Sequence, residues 1–339
     1  MKLIHRLLAL SLLTSPLAAA PVADKTTASS VSQAQPRNIQ VVGWVPPYGI
    51  ETSIAALSSN PLIGKGLTRI GLQFWNPSKD GKSLVLAPVD DTGKQVDPRH
   101  IDEIRDWAHA RNIKVLLTVY NNSQVLKHWD WPLARNAFAN NRKAFAAALV
   151  AEMDRYKLDG IDLDLEGEGF LDDDRPVYAR FVKHLSKLVR PRGKLLTIDT
   201  FHSPCFNAPN MLWWQDWAGH IDALHSMGYQ DLYEGSTDTF TPPGKTEVCA
   251  GGAPLFRYSW QQQYGIRAGY KPEQIILGAP TWMDDWGKAG ATGKGSSIVA
   301  HMEELRTLGA GVALWDLQLS TPGWRSDATW QAVEALRKP

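Results

Sequence analysis

The chain has 339 residues, of which 44% are hydrophobic, and a formal net charge of +1 from 36 basic and 35 acidic side chains. That length supplies material for one large core or two small ones. Neither sign of charge runs in blocks, which excludes a surface built for nucleic acid or for an anionic membrane.

Residues 1–23 carry a basic start at Lys2, His5 and Arg6, an apolar run from Leu7 to Leu13, and small residues at Ala18, Ala19 and Ala20. This reads as a signal peptide, too short for a membrane anchor, and places the protein in a secreted or periplasmic setting. Residues 24–38 are polar, rich in Ser, Thr, Ala and Gln, and read as a disordered lead-in. Beyond them, apolar runs alternate with helical patterns. Strands are expected over Gln40–Val45, Arg69–Trp75, Lys114–Tyr120, Gly160–Glu166, Leu195–Phe201, Ile221–Gly228, Gln274–Ala279 and Gly311–Leu317. Between them, helices are expected over Ile101–Arg111, Asn141–Lys157, Val177–Val189, Leu255–Ala268, Ser297–Leu308 and Asp327–Arg337. The first of these has a start signal in Asp97-Pro98, an N-cap followed by proline.

Eight strands with interleaved helices across residues 39–339 predict an α/β fold, a single-domain TIM (β/α)8 barrel. A doubly wound dinucleotide-binding sheet fits less well, because no phosphate-binding glycine loop follows the first strand. Only about 30 residues separate the last two strands, room for a barrel helix but not for a large inserted α+β domain. Export makes Cys205 and Cys249 candidates for a disulfide, which on the loop-entropy model restricts the unfolded chain by roughly 4 kcal/mol.

The fourth strand carries the chemistry. In Leu158-Asp-Gly-Ile-Asp-Leu-Asp-Leu-Glu166, strand alternation puts Asp162, Asp164 and Glu166 on one face and Ile161, Leu163 and Leu165 on the other. Acids so spaced in a buried strand cannot all ionise independently, so at least one holds its proton near neutral pH, as a general acid must. A solvent-facing edge strand could carry the same acids harmlessly, but the flanking helical pattern argues for a central strand. A calcium loop is the sharper rival, with Asp162, Asp164, Glu166 and Gly167 in the first, third, fifth and sixth places. That pattern then fails, with Asp173 where a bidentate Glu is wanted and Gly169 where an apolar residue is wanted.

Asp159, Asp162, Asp164 and Glu166 match the DxxDxDxE signature of family-18 glycoside hydrolases, the chitinase family, and the chain resembles that family in element order from about Val41 to Trp330. The resemblance implies that Glu166 is the general acid and that Asp164 orients the substrate's own N-acetyl group, which serves as nucleophile. Met227-Gly228-Tyr229-Gln230 resembles the family's Met-x-Tyr-Asp, so Tyr229 is expected to hold the acetamide carbonyl. Gln230 replaces the usual Asp and can bond the sugar without supplying charge. Trp315, in the eighth strand, resembles the tryptophan that floors the subsite of the distorted sugar. The third strand lacks the Ser-x-Gly-Gly of many chitinases; Asn121 and Asn122 stand at its active-site end, suited to sugar contacts or to a turn.

Among the 14 tryptophans, Trp44, Trp75, Trp282 and Trp286 lie near expected strand ends and are groove candidates, while Trp107 and Trp330 lie in helices and read as packing residues. The combined expectation is an exported, monomeric, retaining glycosidase acting on N-acetylglucosamine-containing oligo- or polysaccharides, without metal or organic cofactor. Asp162 would share a proton with Asp164, and Asp159 would be structural at the strand entry. An endo-β-N-acetylglucosaminidase acting on glycoprotein glycans or peptidoglycan shares all these residues. A lectin on the same barrel is the rival from outside the enzymes, and the presence of Glu166 weighs against it.

Overall fold

The computed structural model describes residues 39–123, 128–202, 207–228, 258–281 and 298–338. Its core is a barrel of eight parallel strands: β1 Val41–Val45, β2 Arg69–Pro77, β3 Lys114–Tyr120, β4 Gly160–Asp164, β5 Leu195–Thr200, β6 Ala223–Ser226, β7 Ile275–Pro280 and β8 Gly311–Trp315. Each pairs with its neighbours in chain order, and pairing of β8 with β1 closes the ring. The expected (β/α)8 barrel is therefore the observed fold.

Alternation along each strand sorts its side chains. Val115, Leu117 and Val119 of β3, with Ile161 and Leu163 of β4, face outward into one apolar layer. That layer includes Ile104, Leu149, Phe181 and Val182 of the surrounding helices, and full burial of each large apolar side chain contributes roughly 1.5–3 kcal/mol. Inward residues divide differently. Val42, Trp44, Ala223, Ile276 and Ala313 form a small apolar cluster inside the barrel, capped by half-buried Trp315. Opposite it stand Thr118, Asp162, Asp164, Thr197, Asp199 and His225, all buried.

The helices start where their signals lie. Helix Pro98–His109 is capped by Asp97, whose side chain accepts from Arg99 N–H at 2.9 Å, with Pro98 in its first turn. Helices Arg142–Arg155 and Arg175–Val189 cover β4 and β5. Several short elements have no sequence periodicity to announce them. A helix at Ile50–Ala56 follows Gly49, whose φ of 66° suits glycine. Strand Leu84–Leu86 adds antiparallel to β2. A small hairpin pairs Asn122–Ser123 with His128–Trp129 just past β3.

Several strands are shorter than expected: β4 stops at Asp164 rather than Glu166, β6 spans four residues rather than Ile221–Gly228, and β8 ends at Trp315 rather than Leu317. One reading is corrected outright. Trp75 was expected on the groove, but an irregularity in the β2–β3 register between Leu72 and Trp75 inserts an extra residue and inverts the alternation. Trp75 consequently faces away from the barrel interior, 1% exposed, with its Nε1 donating to Glu152 on the helix outside at 3.2 Å. Trp330 is fully buried and Trp107 packs on the core, as helix positions implied. The expected signal peptide and lead-in, residues 1–38, and both candidate disulfide cysteines lie outside the described residues.

Candidate active site

Asp162 occupies the centre of the barrel with no exposed surface. Register places Thr118 of β3 and Thr197 of β5 level with it. Thr118 Oγ1 donates to Oδ2 at 3.1 Å, Trp44 Nε1 donates to the same oxygen at 2.7 Å, and Thr197 Oγ1 donates to Oδ1. His225 Nδ1 lies 3.4 Å from Oδ1. Burial opposes ionisation, but the imidazole, hydroxyl and indole outweigh it and hold the carboxyl at about 2. Gly71 of β2 makes the approach possible, since a Cβ there would lie 2.5 Å from the Trp44 ring and 2.6 Å from Thr118 Oγ1.

Asp164 is next on the same face and lacks that donor set. Gln73 Nε2 donates to its Oδ2 at 2.6 Å. Its Oδ1 is buried with no N–H or O–H donor among the described residues. The neighbouring acid on the same face is Glu166, whose carboxyl and that of Asp164 influence each other's ionisation. Burial raises the Asp164 carboxyl to about 7, with the Gln73 bond opposing and the Asp162 charge adding. Glu166, 8% exposed, is raised well above the carboxylate range by burial first, then by the charge and hydrogen bond of Asp164. The nearby Trp129 indole partly offsets that rise. Asp164 and Glu166 are thus the two acids of the row driven toward the protonated form. Asp162, expected to share a proton with Asp164, is instead held low, because three hydrogen bonds converge on it, from Trp44, Thr118 and Thr197.

Below the acids, Asp159 is at the β4 entrance, where its Oδ2 accepts from Val115 N–H at 2.8 Å and lies 2.8 Å from His109 Nε2. That ties β3, β4 and a helix together and is a structural arrangement. Asn121, a candidate for sugar contact, is 1% exposed, with its side chain bonded to the backbone of Glu166. Trp44 likewise lies inside rather than on the groove, 3% exposed and packed against His225 and Trp315. Trp315 ends β8 at the barrel mouth and is half-buried. Tyr229, Gln230, Trp282 and Trp286 lie outside the described residues.

Six residues of the site escaped the sequence reading. Thr118 and Thr197 bond Asp162, Gln73 bonds Asp164, and Trp129 lies near Glu166. Asp199 and His225 form a buried pair, Nδ1 to Oδ1 at 2.7 Å, beside Asp162. Burial, then the Asp162 and Asp164 charges, raise the Asp199 carboxyl well above its ordinary range. Asp162, Asp199 and His225 are close enough together for a metal triad. However, both Asp162 oxygens already accept hydrogen bonds, from the Trp44 indole and two threonine hydroxyls, and His225 Nδ1 is bonded to Asp199, so the ligand atoms are engaged with one another and with their neighbours. For the strand residues the sequence signal was a polar side chain on the inward parity of β2, β5 and β6; Trp129, in the hairpin, had none.

Comparison with known proteins agrees with the geometry. Residues 40–333 match the family model of glycosyl hydrolases family 18. Among solved structures, a chitinase from Chromobacterium violaceum aligns with a TM-score of 0.61 at 16% identity, covering 88% of this chain and 98% of that chain. A class V chitinase from Pseudomonas fluorescens gives 0.62 at 16% identity, covering 88% and 99%. The spore cortex-lytic enzyme SleL of Bacillus cereus gives 0.62 at 14% identity, covering 90% and 76%. No curated protein matches. Likeness at such identities establishes the shared barrel, whereas the family model spans nearly all of the described barrel together with its acid row. The chain therefore belongs to glycosyl hydrolases family 18 and is a glycoside hydrolase.

Proposed function

We propose that this is an exported, monomeric, retaining hydrolase of β-linked N-acetylglucosamine-containing glycans, chitin-like in substrate and substrate-assisted in mechanism. The observation that carries the reading is the row of buried acids Asp162, Asp164 and Glu166 running out to the barrel mouth, in which hydrogen-bond donors hold Asp162 low while burial raises Asp164 and Glu166. Glu166 donates its proton to the glycosidic oxygen as the C–O bond breaks. Asp164, left as the anion and steadied by Gln73, holds the acetamide N–H while the acetamide oxygen attacks the anomeric carbon. An oxazolinium forms, and its charge is balanced by Asp164. Water, deprotonated by Glu166, then attacks the same carbon, restores the acetamide and leaves the original configuration.

Asp164 and Glu166 come from the same end of one strand, so neither is placed as the opposed carboxylate that ordinary retaining glycosidases need about 5–5.5 Å across the bond. Tyr229 holds the acetamide carbonyl in this scheme, Gln230 contacts the sugar without adding charge, and Trp315 stacks beneath the reacting ring. The short connection between β7 and β8 favours an open groove and endo-type cleavage. Likeness to a spore cortex-lytic enzyme keeps peptidoglycan beside chitin on the substrate panel. Chitooligosaccharides, glycoprotein and peptidoglycan should be assayed together, with NMR of the nascent reducing end. The expected product is the β-anomer, a thiazoline analogue should inhibit, and a free amine at C2 in the cleavage subsite should nearly abolish reaction. An α-anomer, or equal rates on acetylated and deacetylated sugars, refutes the mechanism.

A further inference from the structure

The β3–β4 ladder ends at the pair Tyr120 and Asp164. Glu166 lies two residues further on, where its backbone N–H and C=O have no strand partner. Asn121 satisfies both. Its Oδ1 accepts from Glu166 N–H at 2.7 Å and its Nδ2 donates to Glu166 C=O at 2.7 Å, so one side-chain amide replaces the missing rung. The Asn121 carbonyl in turn accepts from Asp130 N–H at 2.9 Å, at the base of the hairpin carrying Trp129. The Trp129 indole is near enough to the Glu166 carboxyl to favour its ionised form. Asn121 thus ties the Glu166 main chain to the hairpin that carries Trp129.

Buried peptide groups need partners, and asparagine matches this pair because it offers one acceptor and one donor at that reach. Aspartate would turn an oxygen against the Glu166 carbonyl, and alanine would leave both groups open.

We propose that Asn121 is a positioning residue for the general acid, aiming the Glu166 carboxyl at the leaving oxygen through the Glu166 backbone. The inference rests on the role given to Glu166 above. In the bond-breaking step a misaimed acid matters only where the leaving group needs a proton, so the effect on kcat/KM depends on the leaving group. For Asn121→Ala, kcat and kcat/KM on a chitooligosaccharide should fall on the order of 10²-fold with KM within about 2-fold. On a 2,4-dinitrophenyl glycoside, whose leaving group departs unprotonated, the loss in kcat/KM, which reports bond cleavage before water attacks, should be below about 3-fold. Asn121→Asp should show the same split, with the alkaline limb of the pH profile moved upward by the added negative charge.

Equal losses on both substrates, or no loss on the oligosaccharide, overturn the proposal. So does failure of both variants to fold by circular dichroism, which would make Asn121 a residue of folding rather than of catalysis. A wild-type protein inert on both substrates would instead overturn the functional reading.

Discussion

Replacing Trp44 by Phe withdraws one donor from Asp162 while keeping an aromatic ring inside the barrel. The indole is 3% exposed, its Nε1 is 2.7 Å from Oδ2, and the other donor on that oxygen, Thr118, is more distant at 3.1 Å. A hydrogen bond to a buried charge is worth about 1.5–3 kcal/mol, and the smaller ring leaves a void costing about 1 kcal/mol among Val42, Ala223, Ile276 and Ala313. Stability near neutral pH should therefore fall by about 2–4 kcal/mol.

The pH dependence has a definite sign. The folded Asp162 carboxyl is held at about 2, below the unfolded value, so its stabilisation is complete above the ordinary carboxylate range and is lost as pH falls toward 2. Loss of the indole donor raises the folded value by about 1–2 pH units. The stability gap between wild type and variant should accordingly narrow as pH drops from about 4 toward 2. Urea unfolding at about pH 7 and about pH 3 measures both quantities. A gap below about 0.5 kcal/mol at neutral pH, or one that does not shrink in acid, would refute the account of Asp162 as a donor-saturated anion.

Glu166→Gln should lower turnover about 10²–10⁴-fold on unactivated glycans while leaving the fold intact, since it removes a buried ionisable group; near-wild-type rates would contradict the general-acid role. Asp164→Asn removes the charge that helps raise Glu166, so the alkaline limb of kcat/KM should move to lower pH, and an unmoved limb would show that the two carboxyls are not coupled. Trp129→Ala removes a group that lowers Glu166, so the same limb should move to higher pH, and an unmoved or lowered limb would contradict that influence. Trp75→Phe should cost about 1 kcal/mol of stability through Glu152 and leave turnover per folded molecule unchanged, because its ring lies outside the barrel.

The amino-acid sequence by itself determined the eight strands, the helices between them and the acid row of β4. Each follows from a local property: alternation of side chains along a strand, the helical period, or a cap such as Asp97 before Pro98. The outward placement of Ile161 and Leu163 and the inward placement of Asp162 and Asp164 follow from the same pleat. Partners across the barrel were decided elsewhere. Gln73 meets Asp164, Trp44 meets Asp162, and Asn121 meets Glu166 only because register and ring closure bring β1, β2, β3 and β4 level with one another. The irregularity before Trp75 is equally invisible along the chain, since an extra residue in one strand exists only relative to its neighbour. Which acid keeps its proton was likewise a tertiary outcome. Asp162 and Asp164 have the same chemistry and the same parity, and the closed barrel turns three donors toward the first and one toward the second, which holds one carboxyl at about 2 while burial raises the other to about 7.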